Sequence, residues 1–110
     1  MKIIYSNFLP FNGFRAINIL GVVFAGKKHN PLDEYTINHE SIHTRQMLEL
    51  FIVGFYLWYI FEWVLRLIIY KNRFKAYRNI GFEREAYCND TNMNYLNNRR
   101  FYSFIKYLKG

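Results

Sequence analysis

A small, mainly α-helical α+β domain is the fold this chain predicts, and three observations predict it. A strand-like run of β-branched residues is confined to the first 30 or so positions. His39-Glu40-Ser41-Ile42-His43 sets two histidines at helical spacing. Two further helix-like stretches follow, the first of them strongly apolar. At 110 residues the chain is long enough for one domain and not two. Residues 1–30 are expected to form a short β-ribbon and loop, and residues 31–110 the helical part.

In order, Ile3-Ile4-Tyr5 is consistent with a strand, and Pro10 with Asn12-Gly13 signals a turn. Phe14 to Ala25 reads as one strand, or as two halves bent at Gly21. A rival reading makes it a signal peptide cut after Val23-Phe24-Ala25. A poor charged end and interruptions at Pro10, Asn12 and Asn18 oppose this. Gly26 to Asn30 is a polar loop, and His29 is read as a solvated member of it. Asn30-Pro31 marks a helix start, with Asp33 and Glu34 near its positive end and Thr36 as an alternative cap. That helix carries His39 and His43, then Gln46 and Met47 on the same side.

Phe51 to Phe61 is uncharged, and the apolar run resumes around Glu62 and Arg66 as far as Tyr70. About 20 predominantly apolar residues span a membrane, so 51–70 is a borderline candidate. Glu62 and Arg66 lie four apart and are placed to pair, which favours a helix against protein or at an interface. Lys71 to Arg78 is basic and aromatic, a loop or a short helix. Phe82 onwards reads as a new helix running to about Leu96, and Phe101 to Leu108 as a short amphipathic tail.

Composition narrows the partners. Hydrophobic residues make up 52% of the chain and aromatic residues 21%. That means either an unusually aromatic core or apolar surface that meets lipid or a partner. Net charge is +7, and nine Lys/Arg against three Asp/Glu fall in residues 71–110. A basic part beside a very apolar one points to an anionic membrane surface. No nucleic-acid reader motif is present, so nucleic acid is not the expected partner. The lone Cys88 excludes an internal disulfide and fits a reducing compartment. The expected location is the cytoplasm, in association with the inner face of the membrane. The sequence sets no oligomeric state.

The chemistry centres on His39-Glu40-x-x-His43. Residues four apart share a helix face, so both imidazoles can bind one Zn²⁺ at about 2.0–2.1 Å. Glu40 is then placed to take a proton from a water activated by that zinc. A hydrolytic site needs a third protein ligand. Among the later acids, Glu49 is too near in sequence to fold back, and Glu62 is read as paired with Arg66. The Glu83-Arg84-Glu85-Ala86-Tyr87 helix is the natural donor. Glu83 and Glu85 are about 200° apart around it, so only one faces the metal.

His-Glu-x-x-His followed by a hydrophobic stretch and Glu-x-x-Ala resembles the gluzincins of the HtpX and CAAX-prenyl-protease kind. The resemblance implies a zincin-like fold and makes Glu83 the third zinc ligand, with Glu85 the alternative. Tyr87 stands where that family has aspartate. Nearly the whole chain also resembles a group of short bacterial proteins with Asn-His-Glu-x-Ile-His-x-x-Gln and a later Phe-Glu-x-Glu-Ala-Tyr, which bring no known activity. A minimal zinc metallopeptidase acting on a peptide or protein substrate is the implied function. The Phe14–Ala25 strand would offer an edge to an extended peptide. The alternatives are a non-catalytic zinc-binding module and a membrane-associated interaction protein.

Geometry links the apolar stretch to the metal. One straight helix over 43–71 would separate its ends by about 42 Å. The twelve residues from Lys71 to Glu83 reach about 40 Å when fully stretched. A single membrane span at 51–70 and ligation by Glu83 therefore exclude each other. The stretch is expected to bend, near Gly54, or to form a hairpin, and it could still dip into one leaflet.

Overall fold

A computed structural model describes residues 2–6 and 15–108 of the chain. The turn signals at Pro10, Asn12 and Gly13, and Phe14 at the start of the expected strand, lie outside the described residues. The fold is α+β, with a three-stranded sheet followed by five α-helices among the described residues.

Phe14 to Ala25 takes the two-halves form. Strands β2 (Ala16–Ile19) and β3 (Val22–Gly26) pair antiparallel through a turn at Leu20 and Gly21. Both turn residues have positive φ, 53° and 89°, the twist that a two-residue hairpin loop requires. The ribbon gains a third strand, because β1 (Lys2–Ser6) pairs in parallel with β3. The order is β1-β3-β2, so β2 is an edge. Val23 and Ala25 of the central strand are fully buried and pack with Leu32. A cut after Ala25 would remove β1, β2 and all of β3 but Gly26.

Helix α1 (Glu34–Glu49) is capped by Asp33, and not by Asn30 or Thr36. The Asp33 backbone is extended, and its carboxylate accepts from Thr36 N (3.4 Å) and Thr36 Oγ1 (2.5 Å). Those contacts satisfy a first-turn N–H that has no partner within the helix.

The apolar stretch is one unbroken helix, α2 (Val53–Tyr70). The expected bend near Gly54 falls earlier, where Phe51 (φ 56°) and Ile52 (φ 66°) reverse the chain. Ile52 centres a γ-turn closed by Val53 N–H on Phe51 O at 2.7 Å, and its own N–H donates to Met47 O at 2.7 Å. Two left-handed non-glycine residues in succession are strained. Core packing of Leu50, just before them, and of Ile52 itself holds them there.

The return to the site is helical. Lys71 ends α2 in the left-handed region, and Asn72 caps the short helix α3 (Arg73–Arg78) by accepting from Phe74 N and Lys75 N. Helix α4 (Gly81–Asn89) follows and stops well short of Leu96. A separate short helix, α5 (Tyr95–Asn98), and a 3-10 turn at Ser103–Tyr107 follow among the described residues.

Glu62 and Arg66 of α2 pair at 3.2 Å, facing inward. Glu62 also accepts the Gly81 N–H at 2.9 Å, a carboxylate placed at the positive end of α4. Gly81 leaves room there for the tip of the Leu108 side chain. A Cβ would lie 2.5 Å from Leu108 Cδ2. Between these helices sits an aromatic core. Phe55 stacks on Phe82 at 4.5 Å, and Phe104 meets Phe82 at 4.8 Å and Trp58 at 5.2 Å. Each such pair contributes about 0.5–1.5 kcal/mol beyond area burial. The core is thus unusually aromatic, and the outer side of α2 is apolar and exposed as well.

Candidate metal centre

Helices α1 and α4 bring His39, His43 and Glu83 together, all at least nine-tenths buried. The two Nε2 atoms are 3.2 Å apart. Glu83 Oε1 lies 3.2 Å from the Nε2 of His39 and 2.9 Å from that of His43. Three ligand atoms around a tetrahedral ion at about 2.0–2.1 Å are separated by about 3.3–3.4 Å. The observed triangle is close to that size, and the three side chains could hold a metal ion.

The far atom of each side chain is held by a different partner. His39 Nδ1 is 3.1 Å from Asp90 Oδ2. A carboxylate only accepts, so Nδ1 carries the proton. His43 Nδ1 is 2.8 Å from Gln46 Oε1. The Gln46 amide nitrogen donates to Phe82 O (3.1 Å) and Glu85 Oε1 (3.0 Å), which fixes which end of the amide faces the ring. Glu83 Oε2 accepts the Tyr59 hydroxyl at 2.7 Å. With each Nδ1 engaged by its own partner, both Nε2 atoms turn, with Glu83 Oε1, towards one point. Such partners are what orient metal-ligating side chains.

In the metal-free protein the same closeness favours a proton between His43 and Glu83, which a bound metal ion would displace. Burial alone would lower the His43 pKa, but the Glu83 carboxylate outweighs it and, with Glu40 and Gln46, holds the imidazole at about 9. Burial likewise works to raise Glu83, and the two imidazoles overcome it to hold its carboxyl far below the usual range. Glu40 is raised, chiefly by burial, with the imidazoles partly offsetting it.

Compared with family models, curated proteins and solved structures, the chain has no match. The centre is therefore argued from its own geometry, and the gluzincin likeness remains a likeness of motifs.

Glu85 is turned elsewhere. Its side chain is fully buried and accepts from Tyr95 Oη (2.6 Å), from Gln46 and from Arg99, whose Nε makes a very short contact with Glu85 Oε2. Arg99 also makes a two-pronged contact with Glu49 at 2.7 and 2.9 Å. Glu49 thus serves this buried ion cluster, a partnership with a residue fifty positions away that its sequence neighbourhood does not announce. His29 lies outside the centre, in a 3-10 turn at Lys27–His29.

Besides Tyr59, which holds Glu83, three contributors escape the sequence reading. Asp90 takes the place next to a histidine that Tyr87 does not fill. It lies seven residues after Glu83, two turns along the same face, and that spacing was the available signal. Asn38 donates to the carbonyls of Asn89, Asp90 and Asn92, clamping the end of α4 to α1. Asn18 donates to Glu40 O at 3.0 Å and Thr44 Oγ1 at 2.7 Å, docking β2 beside the motif. Tyr87 packs its ring edge-on to His39, at 4.4 Å between centroids, and its hydroxyl meets that of Tyr77 at 2.8 Å.

The centre is approached from two sides. An apolar cavity of about 290 Å³ lies between β2 and α2, with Glu40, His43 and Glu83 along its wall. A polar recess of about 350 Å³ lies on the side of His39, Tyr87 and Asp90. Ala16, Glu40 and Tyr77 border both.

Proposed function

We propose that the chain is a zinc-dependent peptidase, with His39, His43 and Glu83 as the metal ligands and Glu40 as the general base. The observation that carries this reading is the convergence of three ligand atoms whose far ends are each held by a separate partner, Asp90, Gln46 and Tyr59. Two nitrogens and one carboxylate oxygen suit zinc, and three protein ligands leave a position for chemistry. When bound, zinc would polarise a peptide carbonyl and acidify water.

The chain's own residues supply the rest. Glu40 accepts the proton of the attacking water and returns it to the leaving amine. Its raised pKa brings it nearer neutrality, where a base can also give the proton back. Burial pushes the Tyr77 hydroxyl up, so it stays protonated beside Glu40 as a donor to a developing negative charge. The edge strand β2 is tied to Glu40 through Asn18 and meets the Tyr56 hydroxyl at Asn18 O and Leu20 N; its Ala16 end suits an extended peptide, and the cavity beside it suits a bulky apolar side chain.

Zinc content of the purified protein is the first test. One equivalent in the wild type and loss in His43→Ala are expected, and no retained or added zinc in the folded wild type would refute the reading. Hydrolysis of a mixed peptide library should disappear in Glu40→Gln while zinc remains. Stoichiometric zinc without Glu40-dependent hydrolysis would instead leave a non-catalytic zinc-binding module.

A further inference from the structure

We propose that the outer face of α2, with the basic helix α3 beside it, docks this protein on an anionic lipid bilayer. Every exposed side chain of α2 is apolar. Leu57, Ile60, Phe61, Val64, Leu65 and Ile68 are between 44% and 71% exposed. Their spacing of three and four puts them on one side of the helix. The only charged side chains of α2, Glu62 and Arg66, face the protein and pair with each other. A water-facing helix has the opposite polarity. Ionisable groups turned inward and an uncharged outer surface are the pattern of a helix that meets hydrocarbon.

Phe51, in the reversal just before α2, adds exposed apolar surface. It is 88% exposed and sits at φ 56°, where glycine would be less strained. No packing of its own ring explains a phenylalanine there, whereas insertion among acyl chains does.

Charge selects the occupant. Lys71, Arg73, Lys75 and Arg78 follow directly at the end of α2 and are all exposed, with Phe74 half exposed among them. No acidic residue occurs between Lys71 and Phe82. Basic residues beside an apolar helix face complement anionic headgroups beside acyl chains. A second copy laid on this face would bring α3 no carboxylate, since the outward face of α2 has none and Glu49 near its start is buried against Arg99. Helices α1 and α4 cover the inner side of α2, so it lies along the bilayer surface with one face immersed and is not surrounded by lipid.

Phe55, Tyr56 and Tyr59 on the inner side of the same helix line the apolar cavity. Docking would hold that cavity about one helix diameter, ~10–12 Å, from lipid. The substrate class is then peptide segments presented at a membrane surface, a step that rests on the peptidase reading. The docking itself does not.

Sedimentation of the full chain with phosphatidylglycerol–phosphatidylcholine vesicles tests the proposal, with pure phosphatidylcholine vesicles alongside. Binding to the mixed vesicles is expected, weakened at least ~10-fold in Ile60→Glu/Ile68→Glu and in Lys71→Glu/Arg73→Glu, and weakened by salt. Circular dichroism confirms folding, and Ile60→Gln/Ile68→Gln serves if the glutamate pair does not fold. The proposal is overturned by no vesicle binding, or by binding that neither pair affects. It is also overturned by a soluble dimer that Ile60→Glu separates and that ignores vesicles. Equal binding to neutral vesicles overturns the role of α3. Zinc content measured on the same samples keeps the readings apart, because vesicle binding without zinc would sink the peptidase and leave the docking standing.

Discussion

Glu83 and Glu85 are two residues apart, both buried, and the structure gives them separate tasks that substitution should separate. Glu83→Gln replaces an oxygen that lies 2.9 and 3.2 Å from two histidine nitrogens. Loss of a partner that merely orients a ligand costs about 10–100-fold in metal affinity. Loss of a charged ligand should exceed that range, which is more than about 2.7 kcal/mol. Glu85 reaches the centre only through Gln46, so Glu85→Gln should weaken zinc by ~10-fold or less. Its effect should fall on stability, because it leaves Arg99, with a fully buried side chain, short of one carboxylate. Breaking such a pair costs about 3–5 kcal/mol, a large part of the ~5–15 kcal/mol that holds a domain together. Competition against a zinc chelator near neutral pH reads the first effect, and urea unfolding of metal-free protein reads the second. Tyr95→Phe, which removes one hydrogen bond to Glu85 at 2.6 Å, is the milder probe if Glu85→Gln does not fold. A larger loss of zinc in folded Glu85→Gln than in Glu83→Gln would refute the ligand assignment.

Gln46→Leu should leave His43 without an orienting acceptor and weaken zinc about 10–100-fold, seen by the same competition. Gly81→Ala should destabilise by about 1 kcal/mol in urea unfolding, at the low end for overpacking, since the new methyl meets the tip of Leu108, which must turn aside. Phe51→Gly should raise the stability of the soluble protein by about 0.5–1 kcal/mol through relief of the left-handed turn, and should weaken vesicle binding. On the acid side, burial works to raise Glu85, but Arg99, Tyr95 and Gln46 hold it below its ordinary value of 4.5. A depressed carboxyl contributes stability above that ordinary value and loses it as pH falls through the lowered one. Unfolding measured from about pH 6 down to 3 should therefore show a steeper loss in the wild type than in Glu85→Gln.

Much of the centre was legible because its parts are local. His39 and His43 need only a helix, and Glu83 needs only a second helix that starts just before it. The residues that orient them were less visible, because their partners are set by how helices cross. Asn38 and Gln46 sit beside the histidines in sequence, yet what they hold lies 36 or more residues away, at Phe82, Glu85 and the end of α4. Arg99 reads as part of a polar break between helices. Only the closure of α5 over α1 gives it Glu49 and Glu85. Boundaries suffered similarly. Asp33 displaced Thr36 as the cap by one side-chain contact, and α4 ended at Asn89 because Asn38 draws the following carbonyls to α1.

The apolar stretch ties the membrane question to the metal question. A helix running straight from His43 to Lys71 would set the two against each other. The expected bend is present, three residues before Gly54, as the reversal at Phe51 and Ile52. With α2 folded back, Tyr59 near its middle reaches Glu83 at 2.7 Å, and Glu62 caps the helix that carries Glu83. The inner side of α2 thus supports the candidate metal centre while its outer side stays bare of polar groups. A single crossing surrounded by lipid remains incompatible with this packing, because α1 and α4 occupy the inner side. Immersion of one face does not. The charges that made 51–70 a poor membrane segment by composition, Glu62 and Arg66, are the two that face the protein, so they weigh against a span and do not weigh against a docked face.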